Sequence, residues 1–109
     1  MIKVDIQKEV ENIKQVTVDG HADFAEHGSD IVCAGVSSIV FGLINSIDML
    51  DDNVQFDIST SEDETGHLTY RSLKSTDKEQ LLLQAMIVSL KTIEENYSEY
   101  ITIETREVN

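Results

Sequence analysis

Three observations predict an α+β domain in the order ββαββαβ, with two helices packed on one face of a sheet. Short runs alternate apolar and polar residues, as half-buried strands do. Two longer stretches repeat apolar residues every three or four positions, as helices do. Each helical stretch follows a pair of strand-like runs. The 109 residues fit a single domain over 1–109, with no repeat, low-complexity tract or linker.

Ile2, Val4 and Ile6 alternate with Lys3 and Asp5 and predict the first strand. Val16 and Val18 predict a shorter second strand ending at Gly20, and the polar stretch from Lys8 to Asn12 fits a hairpin connection. From Gly20 to Ser29 there is no periodicity, which reads as an exposed loop with Gly20 and Gly28 as hinges. The first helix is expected to start near Asp30, its N-cap, and to end near Leu50. Its apolar stripe is Val32, Val36, Ile39, Leu43 and Ile47. A second row, Ala34, Ser38, Gly42 and Ser46, is small at every fourth position. Small residues let another backbone come close: the second helix, a sheet, or the same helix of another subunit. Val54, Phe56 and Ile58 mark a third strand, Ser61 to Gly66 an acidic turn, and Leu68 and Tyr70 a fourth strand. Thr76-Asp77-Lys78-Glu79 has the form of a capping box and opens a second helix to about Tyr97. Its stripe is Leu82, Met86, Leu90, Ile93 and Tyr97, and Ile101 and Ile103 give a last short strand.

The chain is 40% apolar and 27% charged, which argues against disorder. One cysteine makes no internal disulfide, so nothing points to an oxidising compartment. The N-terminal run lacks the long apolar segment of a signal peptide. The stretch from Ile31 to Leu50 is interrupted by Ser37, Ser38, Asn45 and Asp48, and reads as a core helix, not a membrane span. The expected location is the cytoplasm. A net charge of −13 repels phosphate backbones and anionic membranes, so no nucleic acid and no membrane are expected as partners. The same charge suits a basic partner, and it also serves plain solubility.

The residues with chemistry to offer are His21 and Cys33, twelve positions apart. A lone cysteine often acts as a small buried hydrophobe. If Asp30 is the N-cap, however, Cys33 is the third helical residue. There the helix dipole and unpaired backbone N–H groups favour the thiolate. A histidine brought within reach takes the thiol's proton. Asp30 has two compatible roles, capping the helix and orienting His21. Ser37, four residues after Cys33, lies on the same face one turn along and is placed to donate a hydrogen bond near the thiol. His27 reads as a solvated loop residue and His67 as a sheet-edge residue. His21, His27, Asp30 and Cys33 have no recognised ligand spacing, and no phosphate-cradling glycine loop occurs, so no metal and no cofactor are expected.

The block from Gly20 to Ser37 resembles the ribosomal-processing cysteine protease family, Prp. The resemblance rests on Gly20-His21, the loop through Gly28, Asp30-Ile31-Val32-Cys33-Ala34-Gly35, and Ser37. A weaker likeness continues through Phe41-Gly42 and Thr92-Ile93-Glu94-Glu95-Asn96-Tyr97, and length and element order agree across the chain. The resemblance implies a homodimer of small α+β subunits, with Cys33 as nucleophile and His21 as base. It implies as substrate the precursor of large-subunit ribosomal protein L-twenty-seven, whose short N-terminal extension is removed. The resemblance assigns no third catalytic residue, and Asp30 and Ser37 are expected as supporting residues from their positions alone. The loop from Gly20 to Ser29 would then open and close the site as the peptide enters.

Two other classes fit parts of the sequence. A non-catalytic acidic dimeric adaptor for a basic ribosomal protein accounts for charge, size and the small-residue row, but leaves His21 and Cys33 as coincidence. A thiol-based hydrolase or acyl transferase for a small substrate keeps the chemistry and changes the ligand. A thiolate-like alkylation profile at Cys33 separates the enzymes from the adaptor.

Overall fold

The computed structural model describes residues 1–20, 27–61 and 66–108, with backbone alone for 27–30. The strands are β1 (Ile2–Glu9), β2 (Asn12–Asp19), β3 (Gln55–Thr60), β4 (His67–Lys74) and β5 (Ile101–Glu107); the helices are α1 (His27–Leu50) and α2 (Asp77–Asn96). The sheet order is β3-β4-β2-β1-β5. All neighbours are antiparallel except β1 and β5, which run parallel with Ile2 opposite Ile101 and Val4 opposite Ile103.

Strand alternation splits the sheet into two unlike faces. Ile2, Val4, Ile6, Val16, Leu68, Tyr70 and Ile101 are buried and form the floor of the core. On the opposite face, Asp19, His67, Thr69, Thr17, Gln15 and Arg71 form a hydrogen-bonded ladder across β2 and β4. Both helices therefore cover the first face. Helix α1 buries Val32, Val36, Val40, Ile44 and Ile47. Ile39 and Leu43, expected in the central stripe, are half-buried at its edge. The twenty residues Ile31–Leu50 are apolar enough to span a membrane by length and composition, but this buried stripe makes α1 one wall of the core. Helix α2 buries Leu83, Met86 and Leu90, each fully, so its stripe runs one residue off Leu82. Tyr97 is the C-cap and is 36% exposed, not a core residue. A full truncation of Leu83 or Leu90 to alanine costs about 2–5 kcal/mol in such settings.

The capping box forms by half. Thr76 is the N-cap, and its Oγ1 accepts from the Glu79 N–H at 3.0 Å. The Glu79 carboxylate turns inward instead of back to the cap. It is fully buried and accepts from Tyr70 Oη at 2.5 Å, Ser72 Oγ at 2.8 Å and Gln80 Nε2 at 3.3 Å. Burial, and then the acidic partner, push the Tyr70 hydroxyl far above its ordinary value, so it stays a donor. Next to Glu79, Gln80 holds the β2 backbone at Ile13, accepting from its N–H at 2.7 Å and donating to its carbonyl at 3.0 Å. Asp51, just after α1, accepts from Thr76 Oγ1 and from the Asn53 N–H. One polar seam thus ties the start of α2 to β2, β4 and the end of α1.

Three expectations about the loop before α1 are corrected. Helix α1 begins at His27, three residues before the expected start. His27 and Gly28 are therefore helical, and Gly28 is no loop hinge. Asp30 stands within the first turn and is not the N-cap. Cys33 is the seventh helical residue, not the third. The apolar periodicity starts only at Val32, so the pattern carries no signal for the helix's first turn. His67 also departs from expectation: β4 lies between β3 and β2, so His67 starts an inner strand and is not at a sheet edge.

Gly20 ends β2 with φ +94°, and a Cβ there would lie 2.4 Å from the Met1 carbonyl oxygen. Its N–H donates to the Gly66 carbonyl at 2.8 Å. Gly20→Ala is therefore expected to destabilise the fold by about 1–3 kcal/mol, measured by urea unfolding. An unchanged midpoint would show that the N-terminus gives way freely. A second prediction concerns acid. The hydroxyl of Thr76, followed by the Asn53 N–H, holds the Asp51 carboxyl below the ordinary carboxylate range. A lowered folded pKa contributes stability that is whole above about pH 5 and is lost as pH falls below the ordinary value of about 3.9. Asp51→Asn should flatten that acid limb, read from urea midpoints at successive pH values, with parallel curves contradicting the assignment.

Candidate functional site

Cys33 sits at the edge of the core. It is half-buried and packs against the buried cluster from the side of α1. Its row along the helix continues through Ser37 to Phe41 at four-residue steps, and these three side chains border one cleft of about 270 Å³. Sheet residues with inward parity, Ile2, Val18, Leu68 and Thr60, form the opposing wall. Gly20, Ser61 and Gly66 close the end where the strands stop. The wall is apolar beside Phe41 and polar at Ser37, Thr60 and Ser61. An extended peptide with one large side chain fits such a mixture.

The position of α1 revises the electrostatics expected at the thiol. In a helix beginning at His27, the unpaired N–H groups lie at its very start, no later than residue 29. The Cys33 N–H lies outside that set, so it is not an orphan donor of the helix start. Any oxyanion donors from α1 come from its first turn or from the preceding segment. Asp30 stands three residues before Cys33, close to one helical turn. His21 lies outside the described residues, as do residues 22–26 of the connecting loop. Gly20 is described, and it fixes the point where that loop leaves the sheet.

His67 also borders the cleft, but through its backbone: its carbonyl accepts the Ser61 N–H at 3.1 Å. Its ring belongs to the opposite face of the sheet. There Nδ1 pairs with Asp19 and Nε2 meets Thr69 Oγ1 at 3.0 Å. Both of these side chains are well exposed, so the ion pair contributes little to stability. Among the described residues no cluster of His, Cys, Asp and Glu has the makings of a metal site.

Sequence reasoning found Cys33 and Ser37 but missed Phe41, Thr60 and Ser61. Phe41 carried a usable signal, since it continues the row from Cys33 yet falls off the core stripe; it is 51% exposed. Ser61 carried none, because only the pairing of β3 with β4 brings it beside α1. A larger groove of about 450 Å³ lies between α2 and the β1–β2 hairpin, bordered by Lys8 and Lys91, and is lined by no cysteine or histidine.

The family model for the cysteine protease Prp matches residues 1–102. The ribosomal processing cysteine protease Prp of Staphylococcus aureus is 47% identical over 105 residues, covering 94% of this chain and 97% of that one. The Bacillus subtilis protein of the same name is 38% identical over 111 residues, covering 96% and 97%. The crystal structure of the S. aureus protease with a substrate peptide matches with a TM-score of 0.88 at 44% identity, covering 97% of this chain and all of that one. That with a covalently linked product peptide matches with a TM-score of 0.87 at 42% identity over the same shares. The half-buried cysteine at the lip of a peptide-sized cleft therefore has its explanation in ancestry as well as in geometry: the chain belongs to the cysteine protease Prp family and is a protease, not a non-catalytic adaptor.

Proposed function

We propose that this protease removes the N-terminal extension of large-subunit ribosomal protein L-twenty-seven, with Cys33 as nucleophile and His21 as general base. The observation that carries the reading is the place of Cys33, bordering a cleft that opens along Ser37 and Phe41. The names of the relatives, which are ribosomal processing proteases, support a ribosomal protein as substrate. The covalently linked product peptide of the S. aureus protease supports a covalent route. A chain of net charge −13 attracts a basic ribosomal protein over long range and speeds encounter. The setting is the cytoplasm, where ribosomal proteins are made and thiols stay reduced.

In this mechanism His21 takes the Cys33 proton as sulfur attacks the scissile carbonyl carbon. The C–N bond then breaks, the amine leaves with the proton from His21, and the acyl group remains as a thioester. Water, deprotonated by His21, releases the acid and restores the thiol. Asp30 and Ser37 act as supporting groups, Asp30 by orienting His21 and Ser37 by hydrogen bonding beside the sulfur.

The second part of the proposal is a homodimer built on α1. The row Ala34, Ser38 and Gly42 is exposed, and a Cβ at Gly42 would meet nothing within 4 Å. Neither α2 nor the sheet uses that row. The close approach to α2 falls at Gly35 instead, whose added Cβ would lie 3.2 Å from Ile93 Cδ1. Ile31 and Met49 are 50% and 78% exposed near the two ends of the helix. Apolar exposure along a row of small residues suits a second copy of the helix.

Cys33→Ala should abolish cleavage of a peptide carrying the extension, and Cys33→Ser should nearly do so, since a serine hydroxyl ionises far less readily. His21→Ala should slow it by about 10²–10⁴-fold with the fold intact. Mass spectrometry of the products checks this, and normal processing by Cys33→Ala would refute the nucleophile assignment. Sedimentation should give about twice the 12.2 kDa chain mass. A clean monomer at micromolar concentration would refute the dimer.

A further inference from the structure

The end of the Cys33 cleft holds a polar atom with nothing to bond. Ser61 Oγ is inaccessible to solvent and has no hydrogen-bond partner among the described residues. A buried hydroxyl left unpaired costs free energy, and native folds seldom keep one without a use. The main chain of Ser61 is by contrast satisfied: its N–H donates to the His67 carbonyl at 3.1 Å, as the last rung between β3 and β4. That rung fixes the backbone, and the side chain keeps a choice of staggered rotamers. The cleft it borders is also lined by the apolar Leu68, Val18 and Ile2 and by Thr60. No described side chain pairs with the Ser61 hydroxyl.

We infer that Ser61 is a substrate-binding residue, whose hydroxyl turns into the Cys33 cleft and hydrogen bonds to the main chain of the peptide lying there. The inference rests on the proposed substrate site and adds a residue to it. A peptide main chain supplies what the apolar wall does not, a C=O to accept from the hydroxyl and an N–H to donate to it. Main-chain recognition also explains why a hydroxyl suffices: it holds the peptide in register beside Cys33 without selecting a particular side chain. An unpaired group in the empty site that becomes paired in the complex puts its cost on the free protein and its benefit on binding. Stability and affinity are then set against each other at this one atom.

The test exploits that opposition. Ser61→Ala removes the orphan hydroxyl, so the free protein should melt at the same or a higher temperature. The Kd of the extension peptide for a Cys33→Ala background should rise about tenfold, the loss of one well-made hydrogen bond. Ser61→Thr, which keeps the hydroxyl, should restore affinity. In the Cys33-containing protein, Ser61→Ala should raise KM with kcat little changed, because the contact is made before and during the reaction alike. Unchanged affinity, or a fall in melting temperature together with affinity, would overturn the assignment, the latter by marking Ser61 as a structural residue. A wild-type protein that does not cleave the peptide would refute the substrate reading itself, and shows in the control before Ser61 is compared.

Discussion

The structure depends on one constraint: with the exception of the exposed Leu73, the apolar strand residues face one side of the sheet. With five strands and two helices, this chain has one core layer, and the polar ladder from Asp19 to Arg71 leaves the other face to water. Both helices must therefore share the floor made by Ile2, Val4, Ile6, Val16, Leu68, Tyr70 and Ile101. Once α1 lies on that floor with Val32, Val36, Val40, Ile44 and Ile47 down, its rotation is fixed. Cys33 follows Val32 by one residue, about 100° around the helix, so it comes to the rim of the stripe. A rim position gives the sulfur a packed side and an open side, which a nucleophile needs. Cys33, the proposed nucleophile, thus takes its place from the apolar stripe beside it, against which it packs.

The buried seam around Glu79 shows the same economy applied to polar groups. A carboxylate with full burial and no cation beside it depends on hydrogen bonds, and it receives them from Tyr70, Ser72 and Gln80. These donors come from β4 and α2, so the group is satisfied only when helix and strand are docked in register. Asp51 and Thr76 extend the seam to the end of α1. Apolar contacts tolerate sliding; this network does not, and it fixes α2 along its own axis. Through Gln80 it also reaches the β2 backbone at Ile13. The far end of the sheet is thereby made rigid, while the end carrying Gly20, Ser61 and Gly66 borders the cleft.

Much of the fold was legible because period-two and period-3.6 patterns report burial directly. All seven elements are present in the expected order. The errors have a common cause: patterns speak only where a core lies beneath. His27-Gly28-Ser29 contains no apolar residue and so reads as loop, and the cap was assigned to Asp30, although the helix already begins at His27. At Thr76 the motif was correctly seen as a helix start, but Glu79 answered to Tyr70 and Ser72, partners that only the folded sheet supplies. The site divides in the same way. Cys33 and Ser37 share a helix face and were found by spacing. Thr60 and Ser61 reach the cleft across β3–β4 pairing, a contact between distant segments that no local pattern encodes.

The division of labour between the two ends of the sheet bears on how so small an enzyme builds its proposed site. A 109-residue chain has little interior in which to enclose one. Cys33, the proposed nucleophile, is carried by α1, while the proposed base His21 follows Gly20 in the chain. Gly20 itself is held by the Gly66 carbonyl and crowded by Met1, so the chain leaves β2 from a fixed point. The proposed pair thus joins Cys33, placed by the core, to His21, the residue after Gly20. The described part of the cleft spans two separate elements, the α1 row of Cys33, Ser37 and Phe41 and the β3–β4 end at Thr60 and Ser61. A ligand that contacts both must match their spacing, so selectivity can come from several shallow contacts made at once and needs no single deep pocket.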